Sequence, residues 1–209
     1  MGTVQKNLDE LKLEGGHAAL DFANSVDHRF KDAPRDALQS FADLVNWQVK
    51  AGLMPRGRAE AFVNGAAAHP RLSNTALETG LALREAIYRI FRNVAHRKSP
   101  DPIDLSVLNE VLAALRGNQR LHIARGAVGW DWEFDPARPV TVLGPVADAA
   151  AQLLTSDRLD RVKECPAPDG CGWLFLDTSR NRSRHWCSMR DCGNVAKVRR
   201  HRKRKESQA

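Results

Sequence analysis

The sequence predicts a mainly α-helical protein, in which an α-helical N-terminal domain with a small β-hairpin precedes a compact C-terminal module that ends in a basic helix. Three observations support this prediction. Apolar residues recur at helical spacing through most of the chain up to Leu154. All four cysteines come after that residue. Eleven Lys or Arg residues lie between Arg180 and Lys205, with Asp191 as the one acid in that stretch.

The charge pattern supports two domains. Residues 1–179 hold 21 basic and 23 acidic side chains, so this body is close to neutral, while the remainder is strongly cationic. A chain of 209 residues can form one core of ordinary size plus a small appendage. We therefore expect an α-rich domain over residues 1–158 and a cysteine-containing module over residues 159–209.

The body begins with three short helical patterns. Apolar residues from Ala18 predict a first helix, and those from Phe41 predict a second helix that stops at Gly52. A third helix is expected from Pro55 to Ala68, because proline fits the first turn of a helix.

The clearest pattern predicts the longest helix, from Ser73 to about Lys98. Thr75 and Glu78 have the spacing of a capping box, which would mark its first turn. A further helix is expected over residues 104–117, where its apolar face ends at a glycine.

After Gly117, the spacing of the apolar residues changes from the helical period to alternation. Two short strands with a turn near Gly126–Gly129 predict a hairpin, and Val140–Leu143 is expected to add a third strand. The final helix of the body is predicted over Pro145–Leu154. We expect the C-terminal module to start near Val162, with a strand at Trp173–Leu176.

The cysteine spacing in this module indicates a metal site. Cys165, Cys171, Cys187 and Cys192 form two pairs, and two pairs of thiolates are the typical ligand set of a structural Zn²⁺ ion. Pro166, Pro168, Gly170 and Gly172 favour a tight turn between the first two cysteines. The sequence therefore predicts one zinc ion in a zinc-ribbon-like module.

Other interpretations of these cysteines remain open. Four reduced cysteines can also pack as small apolar groups, although three of them lie beside polar residues, glycine or proline. His185 and His201 are possible substitute ligands for the metal. A nucleophilic cysteine paired with His185 fits less well, because the sequence offers no third group to orient the pair.

Composition excludes several classes of protein. No apolar run approaches the ~18 residues of a membrane helix, and the first residues lack the apolar segment of a signal peptide. We therefore expect a cytoplasmic protein without a membrane partner. The sequence has no phosphate-binding glycine loop, no catalytic carboxylate pair and no nucleophile elbow, so we do not expect an enzyme.

Three segments resemble a known bacterial family. Residues 177–202, DTSRNRSRHWCSMRDCGNVAKVRRHR, resemble the CGNR zinc finger, and residues 15–25, GGHAALDFANS, resemble its usual partner, the ABATE domain. The helix around Leu83–Ile87 also resembles that domain. One position departs from the family pattern, because Val195 stands where the family name has its arginine. His185 likewise stands where the family often has an arginine before Trp186.

The resemblance implies a stress-related bacterial transcription regulator that joins a sensor-like domain to a DNA-binding zinc finger. Its four zinc ligands would be Cys165, Cys171, Cys187 and Cys192. The missing arginine at Val195 would alter a contact with phosphate or base but not the zinc site.

The basic residues are the candidate nucleic-acid contacts. A helix is expected from Asn194 to about Lys205, with Val195 and Val198 resting against the ribbon, and its charge would attract phosphate. DNA is the expected partner, and the alternative is a zinc-stabilised module that binds RNA or a protein. The candidate contacts are Arg180, Arg182, Arg184, Lys197, Arg199, Arg200, Arg202, Lys203 and Arg204.

Two further partners are expected. Asp21, Asn24 and Arg84 lie near predicted core faces of the sensor-like domain, where they would bind a small-molecule effector. Capping and ordinary ion pairs are the alternative roles for the same side chains. A homodimer is also expected, because one small finger reads few base pairs.

Overall fold

A computed structural model of the chain describes residues 4–124, 126–166 and 171–206. It confirms the mainly α-helical fold class, with small sheets of two or three strands. The helices are α1 Ala18–Ala23, α2 Phe41–Lys50, α3 Arg56–Ala66, α4 Pro70–Ala95, α5 Pro102–Leu115, α6 Gly144–Leu154 and α7 Asn194–Glu206. The strands are β1 Val4–Gln5, β2 Val26–Asp27, β3 Arg35–Asp36, β4 Gln119–Ala124, β5 Ala127–Trp132, β6 Val162–Glu164 and β7 Leu174–Leu176.

Helix α4 is the centre of the body and contacts α1, α2, α5 and strand β6. It begins at Pro70, three residues before the predicted start at Ser73, because proline occupies the first turn without losing a hydrogen bond. The predicted capping box does not form. Thr75 lies inside the helix, where its hydroxyl donates to the Arg71 carbonyl at 3.1 Å.

The segment Pro139–Leu143 is a 3-10 helix, so the prediction of a third strand at Val140–Leu143 is wrong. Its side chains are mostly buried, and it leads directly into α6. A short β-branched run that is buried on several sides has the same apolar pattern whether it forms a strand or a 3-10 helix. The predicted hairpin itself is present, with β4 and β5 paired antiparallel from Gln119–Trp132 to Ala124–Ala127.

A three-stranded sheet near the N-terminal end was not predicted. Strand β3 lies between β1 and β2, parallel to the first and antiparallel to the second, and each strand has two residues. Two residues are too few to produce an alternating pattern. The sheet can therefore be identified only from the pairing of segments that are distant in the sequence.

The body and the C-terminal module share one hydrophobic core. Leu174, Phe175 and Leu176 of β7 are at most 1% exposed and belong to the same buried cluster as Leu20 and Phe22 of α1. Burial of such side chains stabilises a fold by roughly 2 kcal/mol each. The module is therefore held by the body as well as by its own ligands.

Candidate metal centre and basic surface

The first cysteine pair is positioned by the β6–β7 hairpin. Cys165 directly follows β6, and its N–H donates to the Trp173 carbonyl at 2.8 Å. Cys171 precedes β7 on the other side of the hairpin. Residues 167–170 lie outside the described residues, so the predicted turn is untested at Pro168 and Gly170. Gly172 has a φ of +63°, and a Cβ there would lie 2.4 Å from the Phe30 ring, so only glycine fits.

The second pair lies at the turn that leads into α7. A π-helical turn, Met189–Gly193, separates Cys187 from the start of the helix and contains Cys192. Its closing bond runs from the Gly193 N–H to the Ser188 carbonyl at 3.0 Å. A metal bound to both cysteines therefore fixes the N-terminal end of α7 directly.

The four sulfurs meet at one point. Their Sγ atoms lie within 4.8 Å of one another, and Cys187 is 3.5 Å from both Cys171 and Cys192. A tetrahedral zinc with Zn–S bonds of about 2.3 Å requires sulfurs about 3.8 Å apart. The cluster fits one Zn²⁺ ion held by four thiolates, which confirms the zinc prediction.

Neither histidine joins this cluster. Within the described part of the chain the group contains the four cysteines alone. His185 is exposed and packs edge-on against Trp186, with ring centroids 4.6 Å apart, and His201 is exposed on α7. Both histidines are therefore free of the metal, and four thiolates complete its coordination.

The thiols need a cation in order to ionise together. Contact with the Cys165 sulfur, assisted by burial, raises the pKa of the Cys171 and Cys187 thiols above their usual range. Zinc removes this penalty by taking each sulfur as a thiolate. Metal binding must then release protons, so zinc affinity falls as the pH is lowered.

Arg184 supports the second cysteine pair through hydrogen bonds to backbone carbonyls. Its guanidinium donates to the carbonyls of Glu14 at 2.9 Å, Trp186 at 3.1 Å and Leu176 at 3.3 Å. It also donates to the Cys187 carbonyl and lies 4.6 Å from the centre of the Phe175 ring. These contacts give Arg184 a structural role, and its contact with phosphate stays a prediction.

Asp177 is a second organising group, and sequence reasoning missed it. Its carboxylate is fully buried and accepts from Lys163 Nζ at 2.6 Å and from the Ser179 N–H at 2.9 Å. Burial opposes ionisation, but the hydrogen bonds from Lys163 and Ser179 outweigh it and lower the pKa of Asp177 to about 2. Lys163 also donates to the Arg182 carbonyl at 2.6 Å. The loop before Cys187 is thereby tied to β6.

The basic residues of α7 form the exposed surface next to this centre. The helix contacts chiefly the turn that precedes it, and every Lys and Arg along it is exposed. Val198 is 50% exposed and Val195 39%, so neither side chain is buried against the module, although Val195 lines the cavity beside the cysteines. Arg180 is exposed, whereas Arg182 is exposed but pairs with Asp160.

The candidate effector residues have partners within the protein. Asn24 donates to the Leu174 carbonyl at 2.8 Å and accepts from its N–H at 2.9 Å, so it joins α1 to β7. Arg84 makes a buried two-point ion pair with Asp36, at 2.7 and 2.8 Å. Asp21 accepts from the Gly15 N–H at 2.7 Å. These contacts match the alternative structural roles, and the ligand role stays a prediction.

The buried carboxyl of Asp21 predicts a pH effect on stability. Burial raises the pKa of the Asp21 carboxyl to about 6. At pH 8 the folded chain therefore carries a buried negative charge that lowers its stability. We expect Asp21→Asn, which keeps the acceptor for Gly15, to raise the free energy of unfolding by about 2 kcal/mol at pH 8. The gain should shrink as the pH falls through 6 and vanish near pH 4. Urea unfolding of both proteins at several pH values checks this, and a gain that is constant with pH would contradict it.

A cavity of about 370 Å³ lies where the N-terminal segment meets the metal centre. Three zinc-ligand cysteines and Val195 form one wall, and charged side chains from Lys6 to Arg35 form the other. Lys12 spans it and contacts Asp191 at 2.8 Å. Asp21, Asn24 and Arg84 do not line it. Val195, which replaces the family arginine, contributes part of its apolar surface.

In the described part of the chain, no helix is both long enough and apolar enough to span a membrane. Comparisons with known proteins give two family matches. Residues 16–157 match the ABATE model, described as "putative stress-induced transcription regulator", and residues 161–205 match the CGNR zinc finger. A search among curated proteins found no match.

Proposed function

Because the chain belongs to the ABATE family and carries a CGNR zinc finger at its C-terminal end, we propose that it regulates transcription by binding DNA through α7. The observation that carries this proposal is the placement of the basic residues. Seven Lys and Arg side chains occupy the 13 residues of α7, and all are exposed. The zinc ion fixes the end of the helix from which they project.

The dimensions of α7 suit duplex DNA. A helix of 13 residues is about 20 Å long, and the major groove of B-DNA is about 12 Å wide, which admits one helix. Positive charge on all sides of such a helix meets the phosphates of both groove walls. Phosphate contacts of this kind give affinity, and one or two arginines in the groove would supply the base reading.

The three classes of residue have separate roles in this proposal. The cysteines and Arg184 hold the finger, the α7 side chains contact phosphate and base, and the exposed Arg180 adds a further phosphate contact. Val195 at the first turn of α7 offers no charge. The helix therefore relies on the seven basic residues from Lys197 to Lys205.

Neutralising part of α7 should weaken DNA binding in a salt-dependent way. We expect Arg200, Arg202 and Arg204 changed together to Gln to reduce the slope of log affinity against log salt by about 3. Fluorescence anisotropy with a labelled 20-base-pair duplex at several salt concentrations measures the slope.

The matched control removes the same charge from the body. Arg71, Arg97 and Arg116 are exposed there, and their replacement by Gln should leave the slope unchanged. Equal losses in both triple variants would mean that binding follows net charge and not α7. Tighter binding to RNA than to the duplex would favour the alternative of an RNA-binding module.

A further inference from the structure

The β4–β5 hairpin presents an apolar face to solvent. Leu121 is 61% exposed, Ile123 76%, Val128 68% and Trp130 66%. The strand register pairs Leu121 with Trp130 and Ile123 with Val128, so the four side chains lie together on one face. We call these four residues the hairpin patch.

The hairpin patch extends from a well-packed base. Trp132 is on the same face, and it packs so closely on Gly144 of α6 that a Cβ there would lie 2.2 Å from the ring. Gln119, its cross-strand partner, donates to Asp148 of α6 at 3.1 Å. The face is therefore buried where it meets the body and exposed beyond it, and the body holds the hairpin in position.

From this arrangement we infer that the hairpin patch is the interface at which two copies of this chain form a dimer. The exposed patch measures roughly 500 Å² per copy, so two copies related by a two-fold axis would bury roughly 1,000 Å², the lower limit for a specific interface. A patch of this size is at the upper end of what monomers expose. The two patches have the same area and the same apolar side chains, so each patch can cover the other.

Charge also favours a second copy. The patch contains no ionisable group, so two patches can meet without placing like charges in contact. Arg120 lies on the opposite face of the hairpin, where it pairs with Glu133 at 3.3 Å, so this charged pair does not border the patch. The outer edges of β4 and β5 also lack strand partners among the described residues.

Dimerisation would double the number of α7 helices presented to DNA. One helix of 13 residues contacts few base pairs, and two-fold proteins reach useful specificity by binding two half-sites. Only this role of the dimer, the presentation of two α7 helices to DNA, rests on the proposed function. The interface itself is tested without DNA, so its failure and the failure of DNA binding are distinguishable.

Sedimentation velocity of the zinc-loaded, 209-residue chain tests the interface. The unmodified chain should be a dimer at about 50 µM, because specific protein interfaces have dissociation constants in the micromolar range or below. Ile123→Glu and Trp130→Glu should each raise the dimer dissociation constant by about 100-fold, because a carboxylate would be buried at the centre of the patch. Both side chains are exposed in one copy, so zinc content and circular dichroism should not change.

Ile103→Glu is the matched control. Ile103 is 75% exposed near the start of α5 and lies outside the hairpin, so its replacement should leave the dimer intact. An unmodified chain that remains monomeric up to about 200 µM would overturn the proposal, since a specific interface would be occupied at that concentration. Hairpin variants that dimerise as strongly as the unmodified chain would overturn it equally.

Discussion

Replacing Cys187 with serine is expected to abolish zinc binding and to lower the melting temperature of the chain by about 10 °C or more. Cys187 is 2% exposed, and its sulfur is 3.5 Å from two of the other three ligands, so no neighbouring group can substitute for it. The effect should spread beyond the finger. Strand β7 belongs to the common core, and a loosened finger would expose Leu174, Phe175 and Leu176.

Metal analysis and thermal unfolding of the same preparation measure this effect. Met189→Ser is the control, because Met189 is two residues away, 65% exposed and not a ligand. That variant should keep one zinc per chain and a nearly unchanged melting temperature. A Cys187→Ser chain that retains stoichiometric zinc would show that the fourth ligand is elsewhere.

Arg184→Gln is expected to lower the free energy of unfolding by about 3 kcal/mol. The guanidinium donates to four backbone carbonyls, and two of these belong to Leu176 and Cys187, which are at most 2% exposed. Glutamine is too short to reach all four acceptors, so buried carbonyls would lose their partners. Urea unfolding at neutral pH measures the loss.

Arg180→Gln separates this structural role from DNA contact. Arg180 is exposed, so its replacement should change stability by less than about 0.5 kcal/mol while reducing the salt slope of DNA binding by about 1. A chain carrying Arg184→Gln that unfolds like the unmodified protein, yet binds DNA more weakly, would favour the predicted phosphate contact over the structural role.

The helices were predictable because their signals are local. The apolar stripe of α4, the glycine after α2 and the prolines that begin α4 and α5 each act within a few residues. Burial of one helix face against a common core is what creates such a stripe. Boundaries were less accurate, since Pro70 begins α4 and overrides the apparent cap at Thr75.

The short elements required tertiary information. Strands β1, β2 and β3 have two residues each and exist because distant segments pair. The segment Val140–Leu143 is apolar for reasons of burial and not of conformation. In neither case do the apolar residues recur with a period that would identify the element from the sequence.

In the functional site, ligand chemistry was readable and supporting contacts were not. The cysteine spacing indicated zinc, and the structure brings the four sulfurs together. Arg184 looked like its basic neighbours Arg180 and Arg182, because charge alone does not reveal which cation faces inward. Asp177 and Ser179 have the spacing of a local hydrogen-bonded turn, a signal that could have marked this loop as structured.

The dependence of DNA affinity on zinc tests the central claim most directly. Anisotropy of a labelled duplex is measured with the zinc-loaded chain, after removal of zinc by a chelator, and after its return. If the metal fixes α7 against the finger, removal should weaken binding by about tenfold or more, and zinc but not magnesium should restore it. A metal-free chain with the same affinity and the same salt slope would show instead that the basic segment binds as an unstructured tail.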